Sequence, residues 1–382
     1  MESGLTKLNR DIIRGKSNGK VLFQPRINAW LDDRVFSNIP LPGKYEGCDR
    51  LGLYEKLGCS DRLYNYFNAC LEVQYDESVK FEWHPLTDGK TDRDYRRVIR
   101  TPVGDLTEIM RGNTSNYGMM PEKWLVSDLS DFRALCYLEE ASHYSFNMGL
   151  YSELEEKAGH LGLPTVFIPR TTIQKLLVEL SGVENTFYML ADDPDTLEEY
   201  FKVLCKSQES MLRAMAGSPI EWINYGDNLH CRILPDYMFE KYILPEYEKR
   251  GEILHGAGKF LFSHWDGECK TYLKFAKSCY LDGIEAVTPV PQGDVTLEEV
   301  KEAFGDEILL IDGLPAVLFA EPFTDEQLMR EAQRTIDMFA GRLILGISDE
   351  MPSNGLLERV ELVTRLTEAH NNAITEAHGH DK

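Results

Sequence analysis

The chain has 382 residues, of which 43% are hydrophobic and 27% are charged, and its formal net charge is -22. This length can bury a substantial core, and it fits either two or three ordinary domains or one large α/β barrel with insertions. The excess of 63 acidic over 41 basic residues repels phosphate backbones, so no nucleic-acid partner is expected.

Membrane and secretion signals are not recognised in the sequence. No apolar run approaches the roughly 20 residues of a membrane span, and the first ten residues lack the apolar core of a signal peptide. The eight cysteines include no Cys-x-x-Cys pair, which fits reduced thiols. We therefore expect a cytoplasmic enzyme without a membrane partner.

The first 135 residues have an irregular pattern. The apolar run Val21–Pro25 predicts a short buried strand, with Arg26 just past its end. Alternating segments that begin at Val79 and Tyr95 predict a hairpin. We interpret residues of about 40–135 as a cap or insertion. Helical spacing is found over residues 5–15, 51–58 and 61–70.

From about residue 145 onward, short apolar strands alternate with amphipathic helices. This alternation implies parallel pairing and favours a closed (β/α)8 barrel, in one domain over residues 1–382, with an open doubly wound sheet as the alternative. No Gly-x-Gly-x-x-Gly follows a strand, so a dinucleotide site is not supported. The predicted strands are 165–170, 222–227, 259–264, 283–288, 308–313 and 343–348. The predicted helices are 171–180, 194–216, 236–256, 268–280, 297–304, 324–339 and 355–371.

Polar residues collect where the predicted strands end, which is where such barrels carry their chemistry. These residues are mostly carboxylates with a single histidine. The repulsion between crowded carboxylates is reduced by a bound cation, by raised pKa values or by solvent. Some of these carboxylates can instead cap helices. The set comprises Arg26, Arg170, Asp227, His264, Asp266, Glu285, Asp312, Asp349 and Glu350.

His264 and Asp266 are two residues apart, so at the end of an extended strand they point to the same side. Such a pair can bind a metal or share a proton. Arg26 and Arg170 can either hold a substrate carboxylate or pair with the neighbouring acids. The aromatic residues nearby can either line a pocket for a flat ligand or simply pack; they are Trp30, Tyr225 and Trp265.

With these residues in place, the chain resembles the uroporphyrinogen decarboxylase superfamily over about residues 5–371, and most closely its cobalamin-dependent methyltransferase branch. The order and spacing of several segments carry the resemblance. They are Val98-Ile-Arg-Thr-Pro-Val-Gly-Asp-Leu, Ala191-Asp-Asp-Pro-Asp-Thr-Leu-Glu-Glu-Tyr, Tyr225-Gly-Asp-Asn, Ser263-His-Trp-Asp-Gly, Cys279-Tyr-Leu-Asp-Gly-Ile-Glu-Ala and Gly346-Ile-Ser-Asp-Glu-Met-Pro352.

The resemblance implies a (β/α)8 barrel with its site at the carboxyl ends of the strands. The decarboxylases have an Arg-Gln-Ala-Gly-Arg run after the first strand, whereas this chain has Arg26-Ile-Asn-Ala-Trp30 and keeps one arginine. The methyltransferases hold zinc with a His-x-Cys and a later Cys, and the matching positions here are His264, Asp266 and Asp349. A His/Asp/Asp set suits zinc or another divalent metal. It leaves more positive charge on the metal than a His/Cys/Cys set does, so the metal is a stronger Lewis acid.

The resemblance thus favours a metal-assisted methyltransferase that moves a methyl group between a small methylated substrate, such as an aromatic methyl ether or a methylamine, and a corrinoid (cobalamin) carried by a partner protein. It also suggests a homodimer. Three other interpretations stay open: a thiol ligand set of His264, Cys269 and Cys279, a metal-independent decarboxylase or lyase of a small acid, and a non-catalytic barrel that binds a corrinoid or a partner. The candidate catalytic residues are Asp227, Glu350 and Arg26, and the candidate substrate-binding residues are Arg170, Tyr225, Trp265 and Glu285.

Overall fold

A computed structural model describes residues 4–89, 91–116 and 118–379, except the side chains of 378 and 379. These residues form two compact units. The first unit is built from residues 4–69, 148–168 and 219–379, and the second from residues 70–147 and 169–218. The second unit thus begins later than the insertion predicted over 40–135 and takes in a further segment of chain. The single domain over 1–382 stays a prediction.

The described residues contain thirteen strands. They are β1 (Leu22–Phe23), β2 (Leu71–Tyr75), β3 (Lys80–Pro85), β4 (Tyr95–Thr101), β5 (Gly104–Gly112), β6 (Met119–Lys123), β7 (Ser142–Phe146), β8 (Thr165–Phe167), β9 (Trp222–Asn224), β10 (Phe260–His264), β11 (Gly283–Glu285), β12 (Leu309–Pro315) and β13 (Leu343–Ser348).

The same residues contain fourteen α-helices. They are α1 (Gly4–Ile13), α2 (Asn28–Phe36), α3 (Arg50–Leu57), α4 (Tyr64–Phe67), α5 (Phe132–Glu140), α6 (Met148–Ala158), α7 (Thr172–Lys175), α8 (Val183–Asp192), α9 (Pro194–Gly217), α10 (Asp236–Met238), α11 (Leu244–Gly256), α12 (Leu297–Phe304), α13 (Asp325–Phe339) and α14 (Leu357–Gly379).

The first unit is organised around a parallel sheet of seven strands in the order β1-β13-β12-β11-β10-β9-β8. Apart from β1, each strand lies beside its neighbour in sequence, and β1 pairs in parallel with the last strand through Leu22 and Ile344. An open doubly wound sheet would break this sequential order at a switch point. The mixed α/β class with parallel strands is therefore confirmed, with seven strands found in the described part of the chain.

The sheet is buried on both sides, as the apolar composition of its strands predicts. All six residues of β13 and all seven of β12 are buried. Against the sheet, Ile12 and Ile13 of α1 join Leu22, Trp222 and Phe262 in one apolar cluster. The strand ends are thereby held by a packed core, which gives the side chains at those ends fixed positions.

Helix starts in the first unit follow local sequence signals. Thr296 accepts a hydrogen bond from the backbone N–H of Glu299, whose carboxylate accepts from the N–H of Thr296, and this capping box opens α12. Thr324 and Gln327 form the same arrangement at the start of α13. The helices after β11 and β12 therefore begin where the sequence predicted them.

Four predicted helices differ from the structure. The helix predicted over 171–180 is α-helical only over α7 and continues as a π-helix over Leu176–Leu180. Residues 268–280 form a 3-10 helix over Lys270–Ser278. The helix predicted over 236–256 is interrupted by a π-helical turn at Phe239–Ile243, and α14 runs to Gly379 rather than ending at 371. Apolar spacing does not separate these helix types over one or two turns, which explains the differences.

The second unit contains an antiparallel sheet in the order β3-β4-β5-β6, a β2–β7 ribbon and helices α5, α7, α8 and α9. The predicted hairpin is present, because β3 and β4 pair antiparallel with Trp83 opposite Arg97. The core includes Leu106 of β5, Leu135 of α5 and Leu204 of α9. No helix in the described residues is both long enough and apolar enough to cross a membrane.

Candidate metal and catalytic site

His264 is the last residue of β10, and it lies in register with Glu285, the last residue of β11. The next residue, Trp265, donates its backbone N–H to the Glu285 carbonyl oxygen at 3.0 Å, which continues the pairing by one step. Side chains at paired positions of neighbouring parallel strands project to the same face. The imidazole and the Glu285 carboxylate are consequently brought together by the sheet itself.

The two nitrogens of His264 have different partners. Nδ1 lies 3.0 Å from Glu285 Oε1 and 3.3 Å from Arg26 Nη1, and Nε2 lies 3.4 Å from Asp349 Oδ1. A carboxylate accepts, so Nδ1 carries a proton when it bonds Glu285; a guanidinium only donates, so Arg26 can bond Nδ1 only in the other tautomer. In the neutral imidazole, Nε2 then presents its lone pair on the side where Asp349 lies.

The predicted ligand set is assembled in the structure. His264, Asp266 and Asp349 each offer one ligand atom, and these atoms lie within 4.8 Å of one another. Donors around a tetrahedral ion with bonds of about 2.1 Å are separated by about 3.4 Å, which matches the distance from His264 Nε2 to Asp349 Oδ1. Asp349 Oδ1 is closed off from solvent and makes no hydrogen bond, although Arg26 is close. These donors fit a divalent metal.

The alternative thiol set is not assembled in the described residues, because neither Cys269 nor Cys279 belongs to a ligand group with His264. Burial raises the pKa of both thiols, that of Cys279 to about 12, which disfavours the thiolate form that binds metals. A second group of ligand atoms is formed by Cys231, Glu268 and Asp294. In that group Glu268 pairs with Arg232, and Asp294 accepts the backbone N–H groups of residues 269 and 270.

Arg26 reaches the site from the segment between β1 and α2. Its Nη1 lies 2.5 Å from Asp349 Oδ1, and its Nη2 lies 3.4 Å from Glu350 Oε1. Burial acts to lower the pKa of Arg26, but the negative charges around it, including those of Asp349 and Glu350, raise the pKa well above its usual value. Arg26 is therefore a permanent cation at the edge of the ligand set.

Glu350 lies beside Arg26, and its Oε2 accepts the backbone N–H of Ala29 at 3.3 Å. Burial raises the pKa of Glu350, and the neighbouring charge of Asp349 adds to this, against the opposing effect of Arg26. The predicted candidates Arg26, Asp349 and Glu350 thus form one contiguous cluster with His264.

Glu285 was predicted to bind substrate, and the structure places it beneath His264 with no exposed surface. Its Oε1 accepts hydrogen bonds from Asn224 and His264, and its Oε2 accepts from Arg62 at 2.5 Å. Burial acts to raise the pKa of Glu285, but Arg62, His264 and Arg26 lower it below its usual range. Both oxygens are used inside the protein, which favours a supporting role.

Sequence reasoning missed Arg62. This side chain is 1% exposed, and its Nη2 donates to Asp312 Oδ1 at 2.7 Å while its Nε donates to Gln24 Oε1 at 3.1 Å. Residue 62 lies in the segment read as a helical part of the insertion, far in sequence from β11 and β12. The adjacent Asp61-Arg62 pair carried no signal that would have placed it under the strand ends.

The remaining candidates make contacts of their own. Asp227 is buried and accepts the hydroxyl of Tyr247 at 2.8 Å. The Tyr225 and Trp265 rings have no exposed surface: Tyr225 contacts the Tyr247 ring at 4.8 Å between centroids, and Trp265 packs edge-on against Phe239. Arg170 belongs to the second unit, where it pairs with Glu179.

Comparison with solved structures adds one likeness in fold. A methyltransferase from Methanosarcina mazei matches 68% of this chain and 74% of its own, at 13% identity and a TM-score of 0.50. The matched part of the chain has a fold similar to that of the methyltransferase. The resemblance found in the sequence is therefore confirmed at the level of the fold.

A B12-independent methionine synthase from Shewanella sp. W3-18-1 covers 94% of this chain and 97% of its own, at 11% identity and a TM-score of 0.39. A likeness at that score carries no argument about function. No protein-family model matches the chain, and no curated protein matches it.

Proposed function

We propose that this protein is a metal-assisted methyltransferase whose site is the cluster around His264. The observation that carries the proposal is the convergence of His264, Asp266 and Asp349 at the carboxyl ends of strands in a fold shared with a methyltransferase. The closed (β/α)8 barrel with an N-terminal cap, predicted from the sequence, is part of the same proposal.

The charge of the cluster supports a bound cation. Asp266, Asp349 and Glu350 carry three formal negative charges, against one formal positive charge on Arg26. A divalent ion would offset this excess of negative charge. When bound, zinc or a similar ion supplies Lewis acidity to a heteroatom that leaves with a pair of electrons.

Each side chain of the cluster has a proposed role. His264, Asp266 and Asp349 would hold the ion, and Arg26 would orient Asp349 and Glu350 through its two Nη atoms. In methyl transfer the carbon–heteroatom bond breaks, and its electrons stay on the heteroatom, so a positive charge or a proton must be available there. Glu350, whose Oε1 lies 3.4 Å from Arg26 Nη2, is the carboxyl group proposed to move that proton.

The finer parts of the proposal concern partners. We propose that the methyl acceptor is the cobalt of a corrinoid carried by a separate protein, and that the donor is a small aromatic methyl ether or a methylamine. A donor of this kind is uncharged or cationic, which suits the acidic cluster better than an anionic acid would. A homodimer and a cytoplasmic location stay predictions, and light scattering on the purified protein would measure the first.

The first experiment is elemental analysis of protein purified without added metal. We expect close to one divalent ion per chain in the wild type, and loss of that ion in a His264→Ala/Asp349→Ala variant. The matched control is Cys231→Ala/Glu268→Ala, which disables the other ligand group and should leave the metal content unchanged. A metal-free wild type, or metal retained in the first variant, would contradict the proposed site.

The second experiment measures the reaction. Wild-type protein is incubated with free cob(I)alamin and a panel of aryl methyl ethers and methylamines, and methylcobalamin is followed by its absorbance. We expect turnover that is lost on chelation and restored by zinc. Carbon dioxide release from a small acid, unaffected by a chelator, would instead identify a metal-independent decarboxylase.

A further inference from the structure

A buried chain of side chains lies directly beneath His264. Three of its members lie on strands: Asn224 on β9, Glu285 on β11 and Asp312 on β12. The fourth, Arg62, lies two residues before the start of α4. Glu285 and Asp312 have no exposed surface, and Arg62 has 1%. Groups of this kind are costly to bury, so each donor and acceptor in the chain must be matched.

The orientation of Asn224 is determined by the backbone. Its Oδ1 accepts the N–H of Gly226 at 2.7 Å, and a backbone N–H can only donate. The amide nitrogen of Asn224 must therefore face Glu285, where Nδ2 donates to Oε1 at 2.6 Å. The usual ambiguity between the two ends of an asparagine amide is removed.

The role of Glu285 follows in the same way. Arg62 has no acceptor, so its Nη1 can only donate to Glu285 Oε2, and Asn224 donates to Oε1. Both oxygens of Glu285 thus accept hydrogen bonds, one of them from a cation, as expected of an ionised carboxylate, which has no hydroxyl to donate toward His264. Only a proton on His264 Nδ1 completes the hydrogen bond of 3.0 Å. If Arg26 Nη1, at 3.3 Å, instead donated to an unprotonated Nδ1, that nitrogen and Glu285 Oε1 would face each other as two acceptors at the shorter distance.

Asp312 holds the other side of the arrangement. Its two oxygens accept from Nη2 of Arg62 at 2.7 Å and from Nη1 at 3.3 Å, and this fork fixes the plane of the guanidinium. The Asp312 Oδ2 atom also accepts the backbone N–H of Ala286, the residue after Glu285. Arg62 is consequently aimed at Glu285 from a fixed position.

We propose that Arg62 and Asn224 are positioning residues that make Glu285 an obligatory hydrogen-bond acceptor, and so fix His264 as the tautomer with its proton on Nδ1 and a free Nε2. This inference rests on the proposed function, because a free Nε2 matters when His264 is a ligand. A carboxylate behind a ligating histidine fixes the tautomer and ring orientation and raises ligand basicity, and its loss typically costs about 10- to 100-fold in metal affinity.

Glu285→Gln is the variant that tests the proposal. The amide of the new glutamine has two orientations. The one that directs its carbonyl oxygen toward Arg62 is favoured, because it keeps the charge-assisted hydrogen bond. The amide nitrogen then faces both His264 and the donating Nδ2 of Asn224, so the variant loses the Asn224 bond. Toward His264 it donates to Nδ1, which moves the imidazole proton to Nε2. We expect a loss of metal affinity of about 10- to 100-fold in a competition assay with a chromophoric chelator.

The tautomer is read directly by 15N NMR of histidine-labelled, metal-free protein at alkaline pH, with the His264 signals assigned from a His264→Gln sample. The wild type should show protonation at Nδ1, and Glu285→Gln should show it at Nε2. Arg62→Lys keeps a donating cation and should keep the wild-type tautomer. The control is Glu139→Gln, which removes a buried carboxylate paired with Lys175 in the second unit and should change neither reading.

The outcomes separate the two proposals. A wild-type His264 protonated at Nε2 overturns the inference, whether or not the variants fold. Wild-type protein that binds no metal overturns the proposed function, while the tautomer still tests the arrangement of Arg62, Glu285 and His264. Metal bound equally well by wild type and Glu285→Gln, with an unchanged tautomer, overturns the inference alone.

Discussion

Replacement of Arg62 by methionine should destabilise the first unit strongly. The guanidinium bonds Glu285 at 2.5 Å, Asp312 at 2.7 Å and Gln24 at 3.1 Å, and its two carboxylate partners have no exposed surface. Methionine fills a similar space but leaves both carboxylates without their cation. Breaking a buried ion pair by removing one partner costs about 3–5 kcal/mol, so we expect the free energy of unfolding to fall by about that amount.

The assay is urea denaturation at neutral pH followed by tryptophan fluorescence, in which such a loss moves the midpoint by roughly 1 M or more. Arg100→Met is the matched control, because Arg100 also pairs with two carboxylates, Glu82 and Asp105, but on an exposed surface. It should leave the midpoint unchanged. The Arg62→Met/Asp312→Asn variant should be more stable than Arg62→Met, since one uncompensated charge is removed. Equal midpoints for Arg62→Met and Arg100→Met would refute this reasoning.

Two further predictions concern other parts of the chain. The hydrogen bond from His255 to Asp282 at 2.9 Å raises the pKa of His255 in the folded protein. The stabilisation from this bond is therefore complete below the pKa of His255 in the unfolded chain, about 6.5, and it is lost as pH rises through the pKa in the folded protein. His255→Gln should therefore cost up to about 0.5 kcal/mol at pH 5.5 and nothing at pH 9 in urea titrations, and a larger cost at pH 9 would contradict this. Gly182→Ala should destabilise the second unit by about 2–4 kcal/mol, because residue 182 has φ +75° and a Cβ there would lie 2.6 Å from the Trp124 ring. Thermal denaturation measures this, and Gly217→Ala, whose Cβ would meet no atom within 4 Å, should not be destabilising.

Much of the secondary structure could be predicted from sequence because local patterns cause it. The strands that end at His264, Glu285 and Ser348 are short apolar runs, and the helix that begins after Thr296 opens with a capping box. Alternation of such strands with helices also implied parallel pairing. The π-helical turn at Phe239–Ile243 and the 3-10 helix at Lys270–Ser278 could not be predicted, because they share the apolar spacing of an α-helix.

In the candidate site, too, some residues could be predicted from local sequence and others depend on tertiary packing. The two-residue spacing of His264 and Asp266 at a strand end is a local property, and the resemblance added Asp349. For other residues the sequence left alternatives open, because burial is decided by packing between distant segments. Tyr225 and Trp265 could either line a pocket or pack, and both are buried without exposed surface. Arg170 could either hold a substrate carboxylate or pair with an acid, and it pairs with Glu179.

The sequence by itself determined the alternation of strands and helices, the acidic character of the strand ends and the pairing of His264 with Asp266 as candidate donors, since these depend on residue type and short spacing. Only the tertiary structure decided that Arg62 lies beneath β11 and β12, and that Glu285 supports His264. The physical reason is that register between strands and the burial of a cation between two carboxylates depend on contacts between residues more than 200 positions apart in the chain.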